Sequence, residues 1–367
     1  MSLEQEIIKK AKEIQTDSYP MSIGELTSMY KEGELDLNPD FQRFFRWNIH
    51  QKSKFIESIL LGIPIPSIFI SQDAQGRWDV IDGLQRLSTI FEFMGILKIT
   101  NEDGEEVEKE PLALVGTDFL PSLNNIVWEN DDAPDNSLDH SQRFKIKRSK
   151  LTIQIIKETS DPEAKYELFQ RLNTGGSTLE PQEIRNCILI MVNNDFFKWL
   201  EGLSKNSDFL NAISISSKQK DEQYEKELIV RYLLIKYGKV NEIKGTEDVH
   251  DYLTKEIIKV AKMELDFQKE KAEFNKIFKT LNQILGEDSF RKFKKEKEKF
   301  MGAFSLATFE AIIGGLIPNI NKIEEDKVKE MIEKMSLHSD FQSILSSKHR
   351  PMLRFRMLVD FGKEYFK

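Results

Sequence analysis

The hydrophobic positions of this chain change period repeatedly up to about residue 190 and then settle into helical spacing. Ile23, Leu26 and Tyr30 fall on one helical face behind Ser22, a serine able to cap it. Leu35 to Phe45 reads as extended around Pro39, and Ile49 to Leu61 as a helix in which Phe55, Ile56, Ile59 and Leu60 repeat before Gly62 and Pro64 stop it. Residues 66–71 and 77–81 flank Asp73-Ala-Gln-Gly76 and predict a hairpin; residues 83–97 return to helical spacing. From about 101 to 142 the chain is acidic and irregular. It reads as an insertion with short ordered pieces, because structureless loops that long are unusual inside a compact domain. Leu151–Ile156 predicts a strand, Pro162–Leu172 a helix, Asn173–Ser177 a tight glycine turn and Pro181–Asn193 another helix. Farther on, Glu222–Tyr237, Val249–Phe278, Ser289–Met301, Ser305–Ile317 and Glu324–Met335 all have the spacing of amphipathic helices. The fold expected is α+β: a small mixed sheet with helices in residues 1–190, followed by an all-helical domain in 191–367.

Composition narrows the classes. With 367 residues, 40% hydrophobic and 31% charged, the chain has the make-up of a soluble globular protein long enough for two cores. No apolar run approaches the ~20 residues that a membrane span needs, and the N-terminus lacks a basic-then-apolar signal layout, so the cytoplasm is the expected location. The single cysteine, Cys187, excludes an intrachain disulfide and a cysteine-based zinc site; in its apolar helical run it reads as a packing residue. A net charge of −8 argues against a surface that grips DNA everywhere. Basic residues nevertheless cluster. Arg143, Lys145, Lys147, Arg148 and Lys150 precede an apolar strand and suit either a phosphate groove or the lysines of an edge strand. Arg291 to Lys299 reads as a solvated helix face, and His349, Arg350, Arg354 and Arg356 as a compact basic group.

The candidate chemistry centres on Trp78 to Phe91, where a strand-like run ends at Asp82-Gly83 and a helical pattern begins. Asp82 with Gln85 three residues on fits a capping box. Gly83 would let an anion approach the positive end of the helix, and Arg86 would bring a forked cation to the same place. An ordinary capped helix fits the same residues.

The pentapeptide Asp82-Gly83-Leu84-Gln85-Arg86 resembles the Asp-Gly-Gln-Gln-Arg signature of a large prokaryotic family related to the N-terminal, GmrS-type part of GmrSD modification-dependent restriction enzymes. Two further boxes resemble that family in the same order: Asn38-Pro-Asp-Phe-Gln-Arg-Phe-Phe-Arg-Trp47, and Phe169 to Asn186 with its Arg-Leu-Asn-Thr-Gly-Gly core. The likeness covers roughly residues 20–190, and Leu84 departs from it where a glutamine is usual.

The resemblance implies a ParB/sulfiredoxin-like fold whose Gly-x-x-Arg turn binds nucleotide phosphates. By that likeness Arg43, Gly83, Gln85 and Arg86 surround one pocket, with Asn173, Thr174, Gly175 and Gly176 on its rim. Asp82 would position water or Mg²⁺, and Arg86 would stabilise phosphate charge while contributing little to packing. The implied function is a nucleoside triphosphate-binding and NTP-hydrolysing regulatory component of a restriction or phage-defence system, acting with a separate nuclease subunit and contacting DNA through local basic patches. The alternative is a ParB-like DNA- or protein-binding module without turnover. Relatives carry or work with an HNH nuclease, but the five histidines here are scattered, and no Gly-x4-Gly-Lys-Ser/Thr loop is present.

Overall fold

The computed structural model of the protein describes residues 2–6, 16–37, 47–72, 75–100, 105–156 and 180–367. The chain divides into two compact units, 1–178 and 179–367.

The first unit is built on a five-stranded mixed sheet. Its strands are β1 (Thr16–Ser22), β2 (Leu35–Asp36), β3 (Ile68–Gln72), β4 (Trp78–Asp82) and, after two short strands, β7 (Lys150–Ile156), in the order β1-β7-β3-β4-β2. β7 runs antiparallel to β1, with Tyr19 opposite Ile153, and parallel to β3, with Ile70 opposite Ile155. β3 and β4 form the expected hairpin, and β2 runs parallel to β4. Edge strand β1 escapes the hydrophobic pattern: Thr-Asp-Ser-Tyr-Pro-Met-Ser is polar, and Pro20 is tolerated because an edge strand has a side without a partner.

Helices cover this sheet. Helix α1 (Ile23–Glu32) starts at Ser22, whose hydroxyl accepts from the Glu25 N–H at 3.1 Å, and stops at Gly33. Helix α2 (Ile49–Leu61) carries a capping box of Asn48 and Gln51 and ends at Gly62. Helix α3 (Leu84–Phe93) follows β4, and its Leu87, Ile90 and Phe91 join Ile56, Ile68, Ile70 and Ile153 in the core. The acidic insertion does hold ordered pieces: the ribbon β5 (Lys98–Thr100) and β6 (Glu106–Glu108), and turns at Pro121–Leu123 and Pro134–Asn136. One expectation changes here. The basic run is helix α4 (His140–Arg148), capped by Asp139 and Gln142 and packed on α1 and α2. β7 is an interior strand, so protection of a sheet edge does not explain these lysines.

The second unit contains α5 (Pro181–Val192), α6 (Asn194–Ser204), α7 (Ser207–Ile213), α8 (Ser217–Asp221), α9 (Tyr224–Tyr237), α10 (Val249–Ala261), α11 (Phe267–Leu285), α12 (Leu306–Asn319), α13 (Glu325–Leu337), α14 (Ser339–Ser346) and α15 (Pro351–Tyr365). α5 packs on α6, α9 and α10, which moves the boundary from the expected residue 190 to 178/179. α9 is buried on every side from Lys226 to Ile235 and is the central helix rather than an amphipathic one. Two readings are corrected. The stretch from Val249 to Phe278 breaks after Ala261, because Asp266 caps a new helix by accepting from the Gln268 and Lys269 N–H groups. Ser289–Met301 is not an α-helix but a hairpin of β8 (Lys292–Lys294) and β9 (Lys299–Met301) joined by a 3-10 turn at Lys295–Lys297, so the unit is not all-helical. Its signal is a period of two: Phe293 and Phe300 are cross-strand partners with rings 5.2 Å apart. Among the described residues no helix is long and apolar enough to cross a membrane.

Candidate functional site

At the end of β4 the chain turns sharply at Gly83, with φ +97° and ψ 10°, and enters α3. No other residue fits. A side chain would be strained at this φ, and its Cβ would run into Cδ1 of the buried Ile68. Gly83 itself is the N-cap and has no side chain with which to satisfy the first turn, so Asp82 does not cap the helix as expected. The left-handed glycine starts α3 one residue later than a capping box needs, and the Asp82 carboxylate instead meets Arg86 one turn on, Oδ2 to Nη2 at 2.7 Å.

Arg86 is more deeply committed than a pocket arginine. Its Nη1 donates to the carbonyls of Pro66 at 2.5 Å and Ser67 at 3.0 Å, and its side chain is only 12% exposed. One guanidinium thereby ties the approach to β3, the end of β4 and the first turn of α3 together. Among the described residues three of its five N–H donors find acceptors. The expectation that Arg86 contributes little to packing is overturned.

Gln85 turns its Oε1 toward the chain upstream and accepts the N–H of Trp47 at 2.9 Å. Trp47 in turn meets Phe55 of α2 edge-on at 5.4 Å. The end of the upstream box is thus held to the signature by a hydrogen bond. Leu84 is buried, so the position that departs from the usual signature faces the core. Arg43 and Asn173, Thr174, Gly175 and Gly176 lie outside the described residues.

Arg185 and Asn186, at the end of the downstream box, belong to a buried polar network. Arg185 Nη2 pairs with Glu227 at 2.6 Å and Nε donates to Gln182, while Gln182 donates to Asn186 and Asn186 to Gln223. Glu227 also pairs with Arg231 at 2.8 Å, and Arg231 with the fully buried Glu310 at 2.8 Å. Burial pushes the Glu310 carboxyl up to about 7 despite the two nearby arginines, Arg231 and Arg354. Glu227 is burdened by burial too, but Arg231 and Arg185 together hold it below the usual carboxylate range. Sequence reading did not single out Glu227, Arg231 or Glu310; their signal is charge inside an otherwise apolar helical run. Of the late basic group, Arg356 donates to the Ile243 carbonyl at 2.8 Å and Arg354 adds its charge near Glu310, while His349 and Arg350 are exposed.

Residues 23–190 match the family model described as the GmrSD restriction endonuclease, N-terminal domain. Among curated proteins and among solved structures nothing matches the chain.

Proposed function

Because residues 23–190 are related to the N-terminal domain of GmrSD restriction endonucleases, we propose that this chain is a nucleotide-responsive, NTP-hydrolysing component of a prokaryotic restriction or phage-defence system that acts with a separate nuclease. The observation that carries the reading is the start of α3. There a ten-residue helix presents its positive end behind a glycine cap, beside an arginine with two donors that no acceptor takes among the described residues. Triphosphate oxygens would take the N–H groups of that end and the remaining donors of Arg86. The family likeness would add Arg43 and residues 173–176, which lie outside the described residues.

Asp82 is the carboxylate at hand. With Oδ2 held by Arg86 and no partner to Oδ1 among the described residues, Oδ1 would serve a water or one bond to Mg²⁺. A single carboxylate oxygen suits an Mg²⁺ held mainly by phosphates and water, which would neutralise charge on the phosphates. Phosphate contacts carry no base information, so the base is set elsewhere.

A second reading has an observation of its own. Arg86 is held by three protein acceptors, as a purely structural joint is, which favours a ParB-like DNA- or protein-binding module without turnover. Calorimetric titration with ATP, GTP, CTP and UTP, with and without Mg²⁺, followed by phosphate release, separates the two. The enzyme reading expects one nucleotide to bind and turn over, and Asp82→Asn to keep binding but lower turnover by at least tenfold. Asparagine still offers Arg86 an acceptor, so the joint survives. No binding of any nucleotide at millimolar concentration would remove the site from this turn; binding with no phosphate release would leave the module.

A further inference from the structure

Helix α4 presents a face that the nucleotide reading does not use. By helical spacing Phe144 stands at the centre of its outward side, with Lys147 and Arg148 on either flank and Lys145 farther round. All four are exposed, Phe144 by 52%, while Ile146 anchors the opposite side in the core. The Arg148 guanidinium lies over the Phe144 ring at 5.3 Å, and the Lys147 ammonium lies 5.8 Å from the ring of Trp128. Lys150 follows as the first residue of β7. From His140 to Lys150 there is no acidic residue, and among the described residues Arg143 alone of this run is drawn into an ion pair, with Glu129.

The display is fixed in place. Asp139 and Gln142 cap α4, the Ile23 N–H donates to the Ser149 carbonyl at 2.9 Å, and Gly24 packs against the Lys147 carbonyl. Cations alone suit any polyanion. A phenylalanine held outward among them suits a ligand that offers flat apolar faces along with its phosphates. A duplex hides those faces in its stack, whereas a single strand offers both.

We propose that the outward face of α4, Phe144 with Lys145, Lys147, Arg148 and Lys150, binds single-stranded nucleic acid, a base stacking on Phe144 and the flanking phosphates meeting the cations. This rests on none of the nucleotide chemistry at Gly83 and stands if that reading fails.

The test is fluorescence anisotropy on the full chain without added nucleotide, using labelled single-stranded DNA and RNA of one mixed sequence, the matching DNA duplex, anionic phospholipid vesicles and poly-glutamate as probes. A single strand should bind more tightly than the duplex, and a preference between DNA and RNA then names its source. Phe144→Ala should weaken single-strand binding roughly 5- to 100-fold with the salt dependence unchanged. Phe144→Leu, which keeps apolar bulk without a ring, should do the same. Lys147→Gln and Arg148→Gln should each reduce the slope of log affinity against log salt by about 0.7. Unchanged circular dichroism and melting would show that these exposed positions leave the fold alone. Absence of oligonucleotide binding at 50 mM salt, equal affinity in Phe144→Ala, or tighter capture of vesicles or poly-glutamate than of either strand would overturn the proposal.

Discussion

Gly83 and Arg86 define the joint between β4 and α3 from two directions, one by having no side chain and the other by committing three of its five donors to the protein. A side chain at Gly83 meets both an unfavourable φ, worth about 1–2 kcal/mol, and overpacking against Ile68, worth about 1–3 kcal/mol. Gly83→Ala should therefore lose about 2–5 kcal/mol in urea unfolding. Ile68→Val removes the Cδ1 that stands in the way, so the double variant should recover part of the loss; a strictly additive result would place the whole cost in the backbone. The glycine and the arginine were both legible in the sequence as a candidate site. The partners of Arg86 were not, since Pro66 and Ser67 receive it through main-chain carbonyls that no side-chain pattern reveals. The capping expected of Asp82 fails for a related reason: Asp-x-x-Gln is a capping pattern only if the helix starts right after the aspartate, and the left-handed glycine delays that start.

Elements with a strong period were legible, and those defined by their neighbours were not. The helix over Ile49–Leu61 stands as its apolar spacing and Gly62 predict, whereas β1 exists because β7 pairs with it and α4 because Ile146 anchors a run dominated by charge. The insertion shows how an irregular segment is ordered without a period of its own. Glu57, buried on α2, uses one carboxylate oxygen to accept from the Thr117 hydroxyl and from the Phe119 and Leu120 N–H groups at 3.2 and 3.0 Å. Glu57→Ala leaves the Phe119 N–H without that acceptor, while Thr117 and Leu120 still bond each other, at a cost of about 1–3 kcal/mol. Hydrogen exchange should accelerate at Phe119 and Leu120 while the amides of β3 and β4 keep their protection. Uniform acceleration would mean that the loop and the sheet open together.

Across the molecule, two units meet different demands: a sheet that needs distant strands, and a helical core threaded by buried charge. The charge gives the second unit a dependence on pH. The folded state raises Glu310 from 4.5 to about 7, so it holds a proton that the unfolded chain has released, and the stability this contributes is lost as pH rises between those values. Glu227 is shifted the other way; its contribution is present above 4.5 and is lost in acid. Glu310→Gln should flatten the fall in unfolding free energy between pH 5 and pH 8 by on the order of 1–3 kcal/mol, read by urea titration at each pH. An unchanged slope would assign that fall to other groups. The order of strands in the sheet has a consequence for synthesis. β1 is made near the start of the first unit, yet its partner β7 comes from near its end, and β3 also lies open on that side until β7 arrives. A chain emerging from the ribosome therefore carries two unpaired strand edges until residues 150–156 clear the exit tunnel. Nascent chains arrested before Lys150 has cleared the tunnel should be captured by chaperones and cut readily by protease. Those arrested once Ile156 is outside should abruptly resist both, so that seven residues made late decide when everything before them becomes a folded domain.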